Sequence, residues 1–143
     1  MIKHTTYVYG SIQDRSDERD KADVRDTLLG LEFIKSLRPV DFRWDYREDY
    51  FVTDDETGVR TALVQDGSKK RNRFHHGLIA QEVKAAADSQ GVDFAGYQDH
   101  SINGGDDILT LGYSEMIAPL IKAVQELSAK NADLEARIAA LGG

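Results

Sequence analysis

Cysteine is absent from this 143-residue chain, which removes disulfide frameworks and thiolate chemistry together. Proline occurs twice and tryptophan once. No apolar run approaches the roughly 20 residues needed to cross a bilayer, and the N-terminus has no signal-peptide pattern. Positive charge is also in short supply, because 18 Lys and Arg face 25 Asp and Glu for a net charge of −7. That balance argues against a general nucleic-acid binder, which carries a basic face. The four histidines, at 4, 75, 76 and 100, have no metal-ligand spacing. His75 and His76 would point to opposite faces of a strand, so the expectation is no metal and no cofactor.

What is present is globular. Hydrophobic residues make up 41% and charged residues 30% of the chain, enough for one modest α+β domain with its own core. The segment Thr5-Thr6-Tyr7-Val8-Tyr9, ended by Gly10, is β-prone, but one short strand is not stable alone. Residues 1–15 therefore read as the end of a longer upstream segment. From Asp17 to about Leu37, Val24, Leu28, Leu31, Ile34 and Leu37 fall on roughly one helical face, with Gly30 as a weak point that allows two shorter helices. Pro39 stops this pattern. Val40, Phe42, Trp44 and Tyr46 then alternate with charged residues as in a half-buried strand whose aromatic row faces the core, or else offers a ligand platform.

Residues 48–73 are charged and turn-rich, which predicts a solvated hairpin or insertion. A receptor-binding tip is conceivable there, though no specific signal supports it. Lys69-Lys70-Arg71-Asn72-Arg73 is a short basic run in an acidic neighbourhood and reads as solvated loop. Phe74 to Ile79 forms a candidate strand, with Gly77 where a backbone must pass closely. Ala80 opens a helix that Gly91 ends, residues 92–107 read as loop, and Ile108 to Leu111 form a last short apolar segment. A final helix is predicted from Ser114 to Leu141. Along it Ile117, Leu120, Val124, Leu127, Asn131, Leu134, Ile138 and Leu141 are spaced alternately by three and four. That is an a/d heptad repeat held for more than three heptads, the mark of a coiled coil, with Asn131 as a polar a-position that fixes register.

The stretch with chemistry in it is Ser16-Asp17-Glu18-Arg19-Asp20-Lys21. A neutral lysine amine can take the proton of a serine hydroxyl and make it a nucleophile. On one continuous helix positions i and i+5 lie about 140° apart and cannot meet. They can meet if Ser16 sits in extended chain before a helix and Lys21 leans back from its first turn. The same letters also describe an ordinary helix start, since Ser and Asp are good N-caps and acids favour first turns. Asp17, Glu18 and Asp20 favour a charged amine, whereas Arg19 and Arg25 favour a neutral one.

Four blocks together resemble one family. SDERDK is similar to the Ser-Asp-x-Arg-x-Lys opening of the self-cleaving C-terminal chaperone domain of bacteriophage tail spikes and tail fibres, of which the endosialidase spikes are type members. LRPVDFRW, HHGLIAQEV and LGYSEMIAPLIKAVQEL resemble its later blocks in the same order, over roughly residues 16–143. The resemblance implies an intramolecular chaperone, made in the host cytoplasm as part of a tail precursor. Such a domain forms a homotrimer, registers the upstream fibre or stalk of the same polypeptide, then releases itself. It takes no nucleic acid or membrane partner. Carried over, residues 1–15 end the fibre, 16–113 form the chaperone and autoprotease domain, and 114–143 form the trimeric coiled coil. The cut falls between Arg15 and Ser16, with Ser16 as nucleophile and Lys21 as base. Asp17, Arg19, Gln81 and Glu82 are possible supporting residues, and Asp20 stands where the family would have an apolar side chain. The trimer interface would comprise the eight a/d residues named above. The alternative is a trimerisation cap that uses the heptads and never cuts.

Overall fold

A computed structural model describes residues 7–142. Among these residues, three α-helices and three separate two-stranded antiparallel sheets make up an α+β fold with short strands and one long C-terminal helix. The core is small. It forms where α1 (Leu31–Ser36), α2 (Ala80–Ser89) and the start of α3 (Ile117–Gly142) come together. Phe33 and Val83 are its fully buried side chains, joined by Leu29, Ala86, Ala87, Phe94 and Met116. Phe33 and Phe94 lie with ring centroids 5.4 Å apart in a tilted pair, the arrangement that ring quadrupoles favour.

The helix anticipated from Asp17 to Leu37 reduces to one 3-10 turn at Glu18–Asp20 and the six-residue α1. Short acidic side chains recur at 17, 20, 23 and 26, and such groups bond nearby backbone instead of supporting a helix. Asp17 does so by accepting from the Arg19 amide at 2.9 Å. Asp23 adopts a left-handed conformation with φ 54°, which Asp tolerates better than most residues. Val24 and Leu28, assigned to the buried face, are exposed. Gly30 has a packing role instead. A Cβ there would meet the side-chain ends of Glu126 and Lys122, so Gly30 sits directly against α3, where Pro119 and Ala123 are buried. Lys122 Nζ secures the approach by donating to the Thr27 carbonyl.

β1 (Val40–Arg43) pairs with β4 (Phe74–Gly77), with Phe42 opposite His75. β1 stops at Arg43, so Trp44 and Tyr46 lie beyond the strand. Phe42, Trp44 and Tyr46 are not core. Trp44 is 41% exposed, stacks on Tyr46 at 5.1 Å and meets Phe42 edge-on at 4.9 Å. A two-stranded sheet has too little surface to cover this row, which packs on itself. The hairpin expected within 48–73 is present as β2 (Phe51–Thr53) and β3 (Arg60–Ala62), on the surface, with Asp54 accepting from the Glu56 and Thr57 amides to close its turn. Residues 92–107, read as loop, contain β5 (Tyr97–Asp99), which pairs with β6 (Leu109–Leu111). Thr5 and Thr6 of the expected N-terminal strand lie outside the described residues, and Tyr7 to Tyr9 form no strand.

α3 begins after a 3-10 turn at Tyr113–Met116, close to the expected start at Ser114. Pro119 is in its first turn, where a missing N–H costs nothing. From Val124 onward the helix has no buried residue. Its apolar a/d side chains are between 45% (Leu120) and 89% (Leu141) exposed.

Candidate active site

Ser16 lies outside any helix or strand, and Asp17 (φ −66°, ψ 131°, extended) caps the 3-10 turn that follows. The chain leaves the turn at once, with Lys21 extended again at φ −117° and ψ 140°. The backbone closes through the Asp20 amide to the Asp17 carbonyl and the Lys21 amide to the Glu18 carbonyl, both at 3.1 Å. This geometry brings together two side chains five positions apart. Lys21 Nζ donates to Ser16 Oγ at 2.7 Å. The expected contact is therefore made, although a tight 3-10 turn produces it and Lys21 follows that turn, where a longer helix was anticipated. At the same distance a neutral amine can accept the hydroxyl proton.

Asp17 and Arg19 brace the turn. The Arg19 guanidinium forks onto the Asp17 carboxylate, with Nη2 to Oδ2 at 2.7 Å and Nε to Oδ1 at 3.0 Å. The guanidinium, and after it the Arg19 amide, hold the Asp17 carboxyl below the usual range; the same pairing raises Arg19. Arg15 Nε pairs with Asp20 Oδ2 at 2.7 Å, a contact not foreseen from the sequence. The whole strap, residues 7–26, is exposed in the single chain.

Gln81 and Glu82 stand elsewhere. Glu82 accepts a bidentate contact from Arg38, at 3.1 Å from Nε and 2.5 Å from Nη2, tying α2 to the segment before β1. Arg38 lowers the Glu82 carboxyl below its ordinary value, and Glu82 in turn raises Arg38. Gln81 lines an open groove of about 850 Å3 together with Phe42, Trp44, His75, Ile79 and Tyr113. Gly77 is the close approach its sequence context suggested. A Cβ there would lie 2.7 Å from the Tyr113 hydroxyl, which accepts from the Leu78 amide at 3.0 Å. Among the described residues, no group of His, Asp and Glu side chains is arranged to hold a metal ion, and no helix is long and apolar enough to cross a membrane.

The sequence blocks are thus coupled in space: LRPVDFRW to HHGLIAQEV through Arg38 and Glu82, and HHGLIAQEV to the block opening α3 through Gly77 and Tyr113. No curated protein matches the chain. A family model designated a peptidase and described as the chaperone of endosialidase matches residues 16–92, starting on Ser16. That match spans more than half of the sequence, and the chain belongs to the chaperone-of-endosialidase family.

Proposed function

We propose that the chain is a self-cleaving intramolecular chaperone that trimerises, registers an upstream tail fibre or spike, and then cuts between Arg15 and Ser16. The observation that carries the reading is the 2.7 Å contact between Ser16 Oγ and Lys21 Nζ at the first residue of the family match. In the reaction, Lys21 takes the Ser16 hydroxyl proton as Oγ attacks the Arg15 carbonyl carbon. The Arg15–Ser16 C–N bond breaks, and the leaving nitrogen receives the proton from the lysine ammonium. An ester joins Arg15 to Ser16 Oγ until water cleaves it, leaving a carboxylate on Arg15 and a restored hydroxyl on Ser16. Residues 16–113 carry this chemistry and 114–143 the assembly helix.

Assembly is supported by surface that one chain leaves uncovered. The chain exposes 11868 Å2, whereas a compact monomer of 16.0 kDa exposes about 7,400 Å2. Ile117, Leu120, Val124, Leu127, Leu134, Ile138 and Leu141 make an exposed apolar stripe interrupted by Asn131. Burying the exposed part of each contributes on the order of 1 kcal/mol, so the stripe supplies several per chain. The choice of three chains follows the family resemblance, because Ile and Val at a with Leu at d do not select it alone. Trimerisation also answers a kinetic problem. Fibres with non-local strand pairing register slowly, and a compact nucleator at one end makes their zipping intramolecular. Its later removal leaves the fibre kinetically trapped.

Two measurements test this reading. Cleavage should speed up as pH rises, because only the neutral amine can act as the base. Lys21→Ala should nearly abolish it, and Lys21→Arg should not restore it, because a guanidinium stays protonated. Full activity in Lys21→Arg would exclude Lys21 as the base. Light scattering should give a three-chain mass, and a monomer at micromolar concentration would refute the assembly.

A further inference from the structure

Two side-chain contacts span the turn with the same spacing: Ser16 with Lys21 and, one residue earlier, Arg15 with Asp20. The second flanks the scissile bond, since Arg15 supplies the carbonyl that Ser16 would attack. We infer that Asp20 is a positioning residue that holds Arg15 against the turn and makes the site selective for a basic residue before the cut. This inference rests on the self-cleavage reading above.

The geometry favours Arg15 over Lys21 as the partner through which Asp20 acts. Asp20 Oδ2 meets Arg15 Nε at 2.7 Å. Nε is the guanidinium nitrogen closest to the backbone, so this contact restrains the arginine stem as well as its tip. Restraining residues 15 and 20 together limits rotation of the peptide between 15 and 16. That keeps its carbonyl carbon within reach of an Oγ already engaged by Lys21, which raises the fraction of reactive conformers. The pair is exposed, at 81% for Arg15 and 42% for Asp20, so its effect is modest and screened by salt. An aspartate unsuited to sit beside a catalytic amine is thereby turned toward the substrate residue.

The test measures first-order cleavage rates by intact mass at low ionic strength in the full chain. Asp20→Asn and Arg15→Gln should each slow cleavage about five-fold, equivalent to about 1 kcal/mol of barrier. The double variant should be no slower than either single one. Arg15→Lys should stay within about two-fold of the parent, and the exchanged pair Arg15→Glu with Asp20→Arg should recover most of the rate. The pH dependence of Asp20→Asn should keep the parent's midpoint. The clamp is overturned if Asp20→Asn cuts as fast as the parent, or if the two single effects multiply. It is also overturned if the Asp20→Asn profile moves to lower pH, which would mean that Asp20 acts on the Lys21 amine. A parent that cuts while Asp20→Asn is unchanged refutes only this inference. A parent that never cuts at this bond refutes it together with the cleavage reading.

Discussion

Gly77→Ala should destabilise the fold through a single contact. The new Cβ would lie 2.7 Å from the Tyr113 hydroxyl and 3.3 Å from Phe42 Cε1. Both rings must move, and overpacking of this kind costs about 1–3 kcal/mol. Displacing Tyr113 also loosens its hydrogen bond with the Leu78 amide, a loss of at most about 1 kcal/mol at a half-exposed site. Against this, alanine gains roughly 0.5–1 kcal/mol over glycine in a strand. The net expectation is a loss of about 1–3 kcal/mol, or roughly 3–10 °C in Tm for a chain of this size. Thermal unfolding followed by circular dichroism at one fixed protein concentration reads it, since any assembly makes Tm concentration-dependent. Removing the hydroxyl with Tyr113→Phe takes away the 2.7 Å contact, leaving the ring carbon Cζ at 3.8 Å. The alanine penalty should then fall by about half. An unchanged Tm in Gly77→Ala, or an equal penalty on the Tyr113→Phe background, would refute this reasoning.

Leu127→Asp with Leu134→Asp should break the assembly in light scattering and slow cleavage if the site is completed by neighbouring chains or the docked stalk; a fully assembled double variant would contradict the proposed interface. Asn131→Ile should raise Tm while admitting other oligomers, because a buried polar a-position trades stability for one alignment. A lower Tm with trimers only would contradict that role. The ion pair between Arg38 and Glu82 should make stability depend on acid. The Glu82 carboxyl is depressed by Arg38, so its contribution is present above about pH 4.5, the ordinary carboxylate value, and is lost as pH falls through the lower folded value. Glu82→Gln should flatten that part of the curve, and an unaltered acid limb would show that the pair contributes nothing.

Different parts of the chain were legible for different physical reasons. α3 could be read from its heptad spacing and α2 from the glycine that ends it, because both signals act locally. Gly77 was legible as a close approach, but its partner was not, since Tyr113 lies 36 residues away. The segment from Asp17 to Leu37 misled because its apolar spacing is helical while Asp17 bonds the Arg19 amide and Asp23 takes a left-handed conformation. The aromatic row from Phe42 to Tyr46 misled in another way: alternation marks a strand but does not say what covers its face. Within the site, the contact between Ser16 and Lys21 was foreseen as one of two readings of that spacing, with the family resemblance favouring it over an ordinary helix start. The pairing of Asp20 with Arg15 was not, because in sequence the aspartate adjoins the lysine and invites an electrostatic reading of that neighbour.

Cleavage by the dyad is tested most directly by the intact mass of the purified chain during incubation, beside that of Ser16→Ala. The account predicts that the parent separates between Arg15 and Ser16, with one water added across the two products, while Ser16→Ala remains whole. A Ser16→Ala chain that still parts at that bond would contradict it, because Ser16 would then not be the nucleophile.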